Sequence, residues 1–193
     1  MRIAIIDESG LRATILEDGL REAGFDDIEV VQPHSGFVAR LERMAPDVVL
    51  MNLGNPSRDS LEEMLAVSRA LARPIAMFVD QSDDMMIGAA IDAGVSAYVV
   101  DGLRKERVKP ILDLAIRRFN AYSRLQSELD EARTELAERK TIDRAKTILM
   151  ESRKLSEHEA YALLRTTAMK QGRRIVDVAD ALITATSLLG DAR

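Results

Sequence analysis

The chain opens on a short apolar run, IAIID at 3–7, and similar runs recur as IEVV at 28–31, DVVLMN at 47–52, PIAMFV at 74–79 and AYVV at 97–100. Between them apolar residues return at helical spacing, for example Leu11, Ile15, Leu16 and Leu20, then Leu61, Met64 and Leu65. Gly24, Pro46, Pro74 and Gly94 punctuate the turns. The pattern predicts five strands alternating with five helices. Strands that are nearly continuous in Val, Ile and Leu are buried on both faces, so the expected fold is α/β, a doubly wound parallel sheet. In such sheets chemistry sits beyond the carboxyl ends of the strands. That rule singles out Asp7 and Glu8 after the first strand, Asn52 after the third, Val79 and Asp80 after the fourth, and Asp101 after the fifth.

After Pro110 the pattern changes, and residues 110–152 contain no further Pro and no Gly. They read as one long helix. Tyr122, Leu125, Leu129, Ala132 and Leu136 step by 3, 4, 3 and 4, with charged residues mostly off the stripe, which is a coiled-coil seam of about two heptads. The same stripe also suits a single helix lying on its own N-terminal domain; pairing of two chains through residues 120–138 is the preferred expectation. Beyond it, Ser156 with Glu159 forms a capping box and Gly172 a C-cap, predicting helices over 157–171 and 175–189. A shared core of Ile142, Ala145, Leu149, Ala160, Leu164, Ala168, Val176, Ala179 and Ile183 is expected for this three-helix unit, 139–193, with Tyr161 buried in it.

Composition narrows the chemistry. The 193 residues are 47% hydrophobic, enough for a medium domain and a smaller one. There is no Cys, and His34 and His158 are the only two histidines, far apart in sequence. Thiolate chemistry is excluded, and a zinc site or His-based catalysis is not expected. We therefore expect no catalytic residues, no resident metal and no cofactor. No run of about 18 apolar residues occurs, so a cytoplasmic protein without membrane association is expected. Charge is uneven: residues 139–193 carry 11 Lys+Arg against 7 Asp+Glu, a net +4, whereas residues 1–138 carry 16 against 25, a net −9. A basic end on an acidic body is compatible with phosphate contacts to nucleic acid, and also with ordinary solvated helices.

The motifs IIDES, PDVVLMNLGNP, PIAMFVDQ and GVSAYVVDG, in that order and spacing, resemble the receiver domain of bacterial response regulators over about residues 1–119. The resemblance implies a five-stranded, flavodoxin-like fold. It also implies that Asp7 and Glu8 stand where the family holds magnesium, while Asn52 stands at the phosphoacceptor aspartate, Val79 at a Ser/Thr and Asp101 at a Lys; Asp7 and Glu8 then either keep a weak divalent cation with water or, the preferred expectation, are a solvated acidic remnant. An amide is a poor nucleophile for a phosphoryl group, Val79 offers it no hydrogen bond, and Asp101 repels it. A degenerate receiver site of Asp7, Glu8, Asn52, Val79 and Asp101 is the expectation, a pseudo-receiver without phosphate chemistry.

RAKTILM, EAYALLRTTAM and VADALI, across about 139–190, resemble the ANTAR domain, an RNA-binding antitermination module. Thr147 stands where that family commonly has Gly. The joined arrangement resembles the nitrate-assimilation antiterminators of the NasT type and, more distantly, the amidase regulator AmiR. The resemblance implies a homodimer on a leader mRNA with tandem hexaloop hairpins, and a nitrate/nitrite-sensing protein partner, NasS, in place of phosphorylation as the control. The basic residues around these motifs, Lys140, Arg144, Lys146, Arg165, Lys170, Arg173 and Arg174, are the candidate RNA contacts. Base stacking is expected from Arg planes rather than from the lone aromatic of this end. Two alternatives remain: a DNA-binding response regulator, for which Gly172 before a helix is the cue, and a protein-interaction adaptor.

Overall fold

A computed structural model describes residues 1–7, 10–34, 36–55 and 58–190, the side chains of Leu11, Arg58 and Leu189 excepted. The strands are β1 (Ile3–Asp7), β2 (Ile28–Val31), β3 (Val48–Gly54), β4 (Ile75–Val79) and β5 (Ala97–Val100). The helices are α1 (Leu11–Glu22), α2 (Phe37–Met44), α3 (Arg58–Leu71), α4 (Asp84–Asp92), α5 (Lys105–Arg153), α6 (Glu157–Gln171) and α7 (Ile175–Gly190). All strand pairs are parallel, in the order β2-β1-β3-β4-β5. The switch in strand order falls between β1 and β3, which places the ends of those two strands, and the loop after β4, at the crevice where such sheets bind ligands.

Successive strand residues point to opposite faces, and both faces are dry. One face carries Ala4, Ile6, Val49, Met51, Ile75 and Met77 against Phe37, Leu41, Leu61, Leu65 and Ala90 of α2, α3 and α4. The other carries Ile3, Ile5, Val48, Leu50 and Phe78 against Leu16 and Leu20 of α1 and Val108 and Leu112 of α5. Here α1 and α5 come close at Gly19, where a Cβ would lie 2.7 Å from the Lys105 carbonyl oxygen and 2.9 Å from a Val108 methyl. A side chain at 19 would therefore push backbone, not only a flexible tip.

The chain divides into two compact units, Met1–Arg124 and Leu125–Arg193, the division falling inside α5. In the second unit the end of α5 packs with α6 and α7 through Ala145, Leu149, Ala160, Leu164, Ala168, Val178 and Ala179, with Ile142 and Ile183 partly buried beside them. Alanines in three of the helical columns allow this close packing. Two expected core positions differ. Val176 is only half-buried and stays outside the cluster, its place taken by Val178, because the inward stripe of α7 runs Ile175, Val178, Ala179, Leu182. Tyr161 is 44% exposed, because the inward column of α6 is Ala160, Leu164 and Ala168, and Tyr161 stands one residue off it.

The capping box is formed as the spacing predicts: Ser156 accepts from the Glu159 backbone N–H, and the Glu159 carboxylate accepts from the Ser156 backbone N–H at 2.8 Å. These bonds hold the Glu159 carboxyl below its ordinary pKa. Lys154 takes a left-handed backbone conformation in the three-residue connection between α5 and α6. Lys146 of α5 then bridges Asp143 at 2.7 Å and Glu157, the first residue of α6, at 2.6 Å. The Asp143 and Glu157 bonds hold the Lys146 ammonium more firmly protonated, and Lys146 in turn pulls the Asp143 carboxyl down.

Candidate functional site

The parallel register pairs Asp7 directly with Asn52. Both are buried, Asp7 at 1% and Asn52 at 4% exposure, so Asp7 is not the solvated remnant the sequence implied. Asn52 Nδ2 donates to Asp7 Oδ2 at 2.8 Å, and the Gly10 backbone N–H donates to Asp7 Oδ1 at 2.9 Å. A carboxylate only accepts, so the amide must turn its NH2 toward Asp7, leaving Asn52 Oδ1 without a partner among the described residues. An aspartate at 52 would instead bring two carboxylates into contact in a buried place.

Asp80, just past the end of the fourth strand, and Arg12, which the sequence did not single out, complete the pocket. Arg12, in the first turn of α1, donates from Nη1 to Asp80 Oδ1 at 2.8 Å and from Nη2 to Asp80 Oδ2 at 2.5 Å, a bidentate pair. The bond to Asp80 holds the guanidinium still more firmly in its charged form. Its Nη1 would be 3.1 Å from a Cβ at Gly54, whose φ of +58 also favours glycine. Gly54 ends β3 just past a register irregularity, and its carbonyl oxygen accepts from the Asp80 N–H at 2.6 Å. Together Asp7, Arg12, Asn52, Leu53, Gly54, Asn55 and Asp80 line a cavity of about 210 Å³.

Of the residues singled out at the strand ends, the structure brings together Asp7, Asn52 and Asp80. Val79 is buried in the sheet core, and Asp101 is exposed with its backbone N–H bonded to the Val79 carbonyl at 2.9 Å; neither lines the cavity. Glu8 lies outside the described residues. The receiver fold implies magnesium here, and among the described residues the donor set does not fit it: a hard divalent cation wants several oxygen ligands, while Asp7 already accepts from an amide N–H and Asp80 from a guanidinium. Among the described residues no group of three or more His, Asp or Glu is placed to hold a metal ion. Chemically, the charged groups of the pocket are engaged with one another, and Asn52 Oδ1 is the buried polar side-chain atom left over among the described residues.

Arg12 had one sequence signal. A cation in the first turn of a helix opposes the helix dipole, so an arginine there calls for a carboxylate partner from elsewhere in the fold.

The second candidate surface lies at the basic end. Lys140, Arg144, Arg165 and Lys170 are exposed and make no ion pair among the described residues. Arg173 is exposed and donates to the Asp177 carbonyl at 3.3 Å. Arg174 is bridged to Glu138 at 2.5 Å, and Lys146 is committed to Asp143 and Glu157. The seam residues Tyr122, Leu125, Leu129, Ala132 and Leu136 are all exposed. No helix among the described residues is long and apolar enough to cross a membrane.

A five-stranded parallel sheet in this order, with a polar pocket at its strand ends, is the receiver fold. The fold agrees with the signal receiver domain of a modulated diguanylate cyclase from Desulfovibrio desulfuricans G20, at a TM-score of 0.53 and 17% identity over 62% of this chain and 96% of that one. The chain matches the ANTAR domain over residues 130–183. It is similar to the transcriptional regulatory protein PdtaR of Mycobacterium tuberculosis, 26% identical over 182 residues, 94% of this chain and 89% of that protein. It is also similar to the nitrate regulatory protein of Klebsiella oxytoca, 28% identical over 130 residues, 66% of this chain and 32% of that protein.

Proposed function

We propose that the chain is a cytoplasmic RNA-binding transcription antiterminator whose ANTAR helices engage tandem hexaloop hairpins in a leader mRNA, and whose receiver answers to a sensor protein instead of a phosphoryl group. The observation that carries this reading is the pairing of an ANTAR match at 130–183 with a receiver pocket whose acceptor position is an amide bonded to Asp7. Phosphoryl transfer needs a carboxylate nucleophile, and this pocket presents an N–H where that nucleophile belongs. Control must then come through the protein surface. Likeness to the Klebsiella oxytoca nitrate regulatory protein supports nitrate/nitrite assimilation as the regulated process, with a NasS-type sensor as partner.

In this reading residues 1–119 are the pseudo-receiver, 120–138 a coiled-coil linker and 139–193 the RNA-binding module. Two chains pair through the exposed seam Tyr122, Leu125, Leu129, Ala132 and Leu136. Two tethered modules on two hairpins gain affinity by effective concentration, so a monomeric variant binds the leader far more weakly. The surface positions of Lys140, Arg144, Arg165, Lys170 and Arg173 suit phosphate contacts; Lys146 and Arg174 serve them only after giving up their carboxylate partners.

The test is a salt-dependent gel shift with a tandem-hairpin RNA, a loop-scrambled version and a matching DNA duplex, joined to acetyl phosphate labelling. Preference for intact loops and no label are expected. Equal binding to all three nucleic acids sinks the antiterminator, and label on Asp59 in the first turn of α3 moves the acceptor to a place not assigned here.

A further inference from the structure

Tyr161 has no structural task that its surroundings disclose. It is 44% exposed, its hydroxyl makes no hydrogen bond among the described residues, and it stands one column away from the packed alanines of α6. Arg165 and Met169 follow at i+4 and i+8, so the three share one face of the helix. Arg165 is exposed without an ion pair among the described residues, and Met169 is 74% exposed. Single exposed apolar side chains are ordinary on proteins. An aromatic ring and a thioether flanking an unpaired guanidinium on one face are a different matter, because the ring, the thioether and the planar cation can all lie against flat ligands.

The charge around this face selects the ligand. Residues 160–176 contain Arg165, Lys170, Arg173 and Arg174 and no Asp or Glu. The acids that border the stretch are occupied: Glu157 holds Lys146, the Glu159 carboxylate accepts from Ser156, and the Asp177 side chain accepts from the Arg174 backbone N–H. A protein partner would meet a one-signed surface with an apolar stripe, whereas a single-stranded nucleic acid loop offers what this surface lacks: phosphates for the cations and splayed bases for the flat groups.

We propose that the Tyr161, Arg165 and Met169 face of α6 is a base-stacking platform for an unpaired RNA loop, with a base resting on the Tyr161 ring and Lys170 and Arg173 holding the adjoining phosphates. This rests on the RNA-binding reading above and assigns its loop contact to an aromatic residue. Stacking depends on a π-face and carries no charge. Removing the ring therefore weakens binding without changing the response to salt, whereas removing a phosphate contact changes both.

The test uses the full chain and a synthetic tandem-hairpin RNA with six-nucleotide loops. Tyr161→Ala is expected to weaken binding roughly 5- to 150-fold, the range that loss of one base–aromatic stack corresponds to, with an unchanged salt slope. Tyr161→Phe is expected to bind within about twofold of the parent and Tyr161→Leu to fall with the alanine variant, since leucine restores bulk but no ring. The chain has three tyrosines and no tryptophan, so Tyr98→Phe/Tyr122→Phe leaves Tyr161 as the sole emitter, and its fluorescence is expected to be quenched on titration with the RNA. Parent-like binding by Tyr161→Ala together with unquenched emission overturns the platform and leaves the RNA reading standing. Failure of the parent chain to distinguish intact from scrambled loops removes both. Loss of a protein partner with RNA binding intact makes the face a protein interface, and also overturns the proposal. If circular dichroism shows Tyr161→Ala unfolded, the contrast of Phe with Leu and the quenching decide.

Discussion

The strand-end pocket and the outer face of α6 use the same side-chain chemistry to opposite ends. In the pocket every described charge has a partner: Asp7 accepts from Asn52 and Gly10, and Arg12 and Asp80 close on each other. On α6 the cations Arg165 and Lys170 point outward unpaired, and the nearest acids are already engaged. A polar group satisfied by its own chain is unavailable to a ligand unless the ligand replaces that partner. Pairing within the chain therefore commits the charges of the receiver pocket to one another, while exposure without pairing leaves Arg165 and Lys170 of α6 available to a ligand.

The sharpest way to break this contrast is Asn52→Asp. It sets a second carboxylate against buried Asp7, and the expected cost is about 2–4 kcal/mol at neutral pH, read as a lower midpoint in denaturant. Two carboxylates in contact share a proton, so one of them titrates above its unfolded value. The loss is therefore largest at neutral pH and shrinks as the pH falls toward the carboxylate range. RNA affinity of the folded variant is expected to stay within about twofold. A variant as stable as the parent shows that the Asp7–Asn52 contact matters little.

The mirror experiment is Lys170→Gln with Arg173→Gln. Loss of two phosphate contacts lowers the slope of log affinity against log salt by about 1.5 and affinity at moderate salt by roughly tenfold, with the melting temperature unchanged. An unchanged slope places the phosphate contacts elsewhere. Arg12→Ala is expected to cost less than about 1 kcal/mol, because the pair with Asp80 is more than a third exposed and screened by solvent. The smallest effect concerns the capping box. Glu159 titrates below its ordinary value of 4.5, so its contribution to α6 is complete above that value and is lost as the pH falls through the lower native one. Glu159→Gln is expected to remove that acid sensitivity, measured as helicity against pH.

What could be read from the sequence, and what could not, follows the same physics. The strands at 3–7, 28–31 and 97–100 were legible to the residue because a doubly covered parallel strand has one composition on both faces. The helix over 157–171 was equally legible, since Ser156, Glu159 and Gly172 are local signals that act within one turn. The pocket was half legible. Asn52 follows from strand position, whereas the Arg12–Asp80 pair joins residues 68 apart and depends on the approach of α1 to the loop after β4. Tyr161 was misread because Ala160 and Tyr161 are both apolar and adjacent, and the packing that chooses between two neighbouring columns is a tertiary matter.

The three-residue connection after α5, tightened by Lys146 between Asp143 and Glu157, has a mechanical meaning. It leaves α6 little freedom to swivel, so the bearing of its outer face is tied to the helical phase of the α5 segment that precedes it. One residue inserted between Leu136 and Lys140 would advance that phase by about 100° and turn the outer face of α6 away from its place relative to the seam Leu125–Leu136, while seven would nearly restore it. In this unit of the chain, sequence length upstream of α6 acts as an angular coordinate.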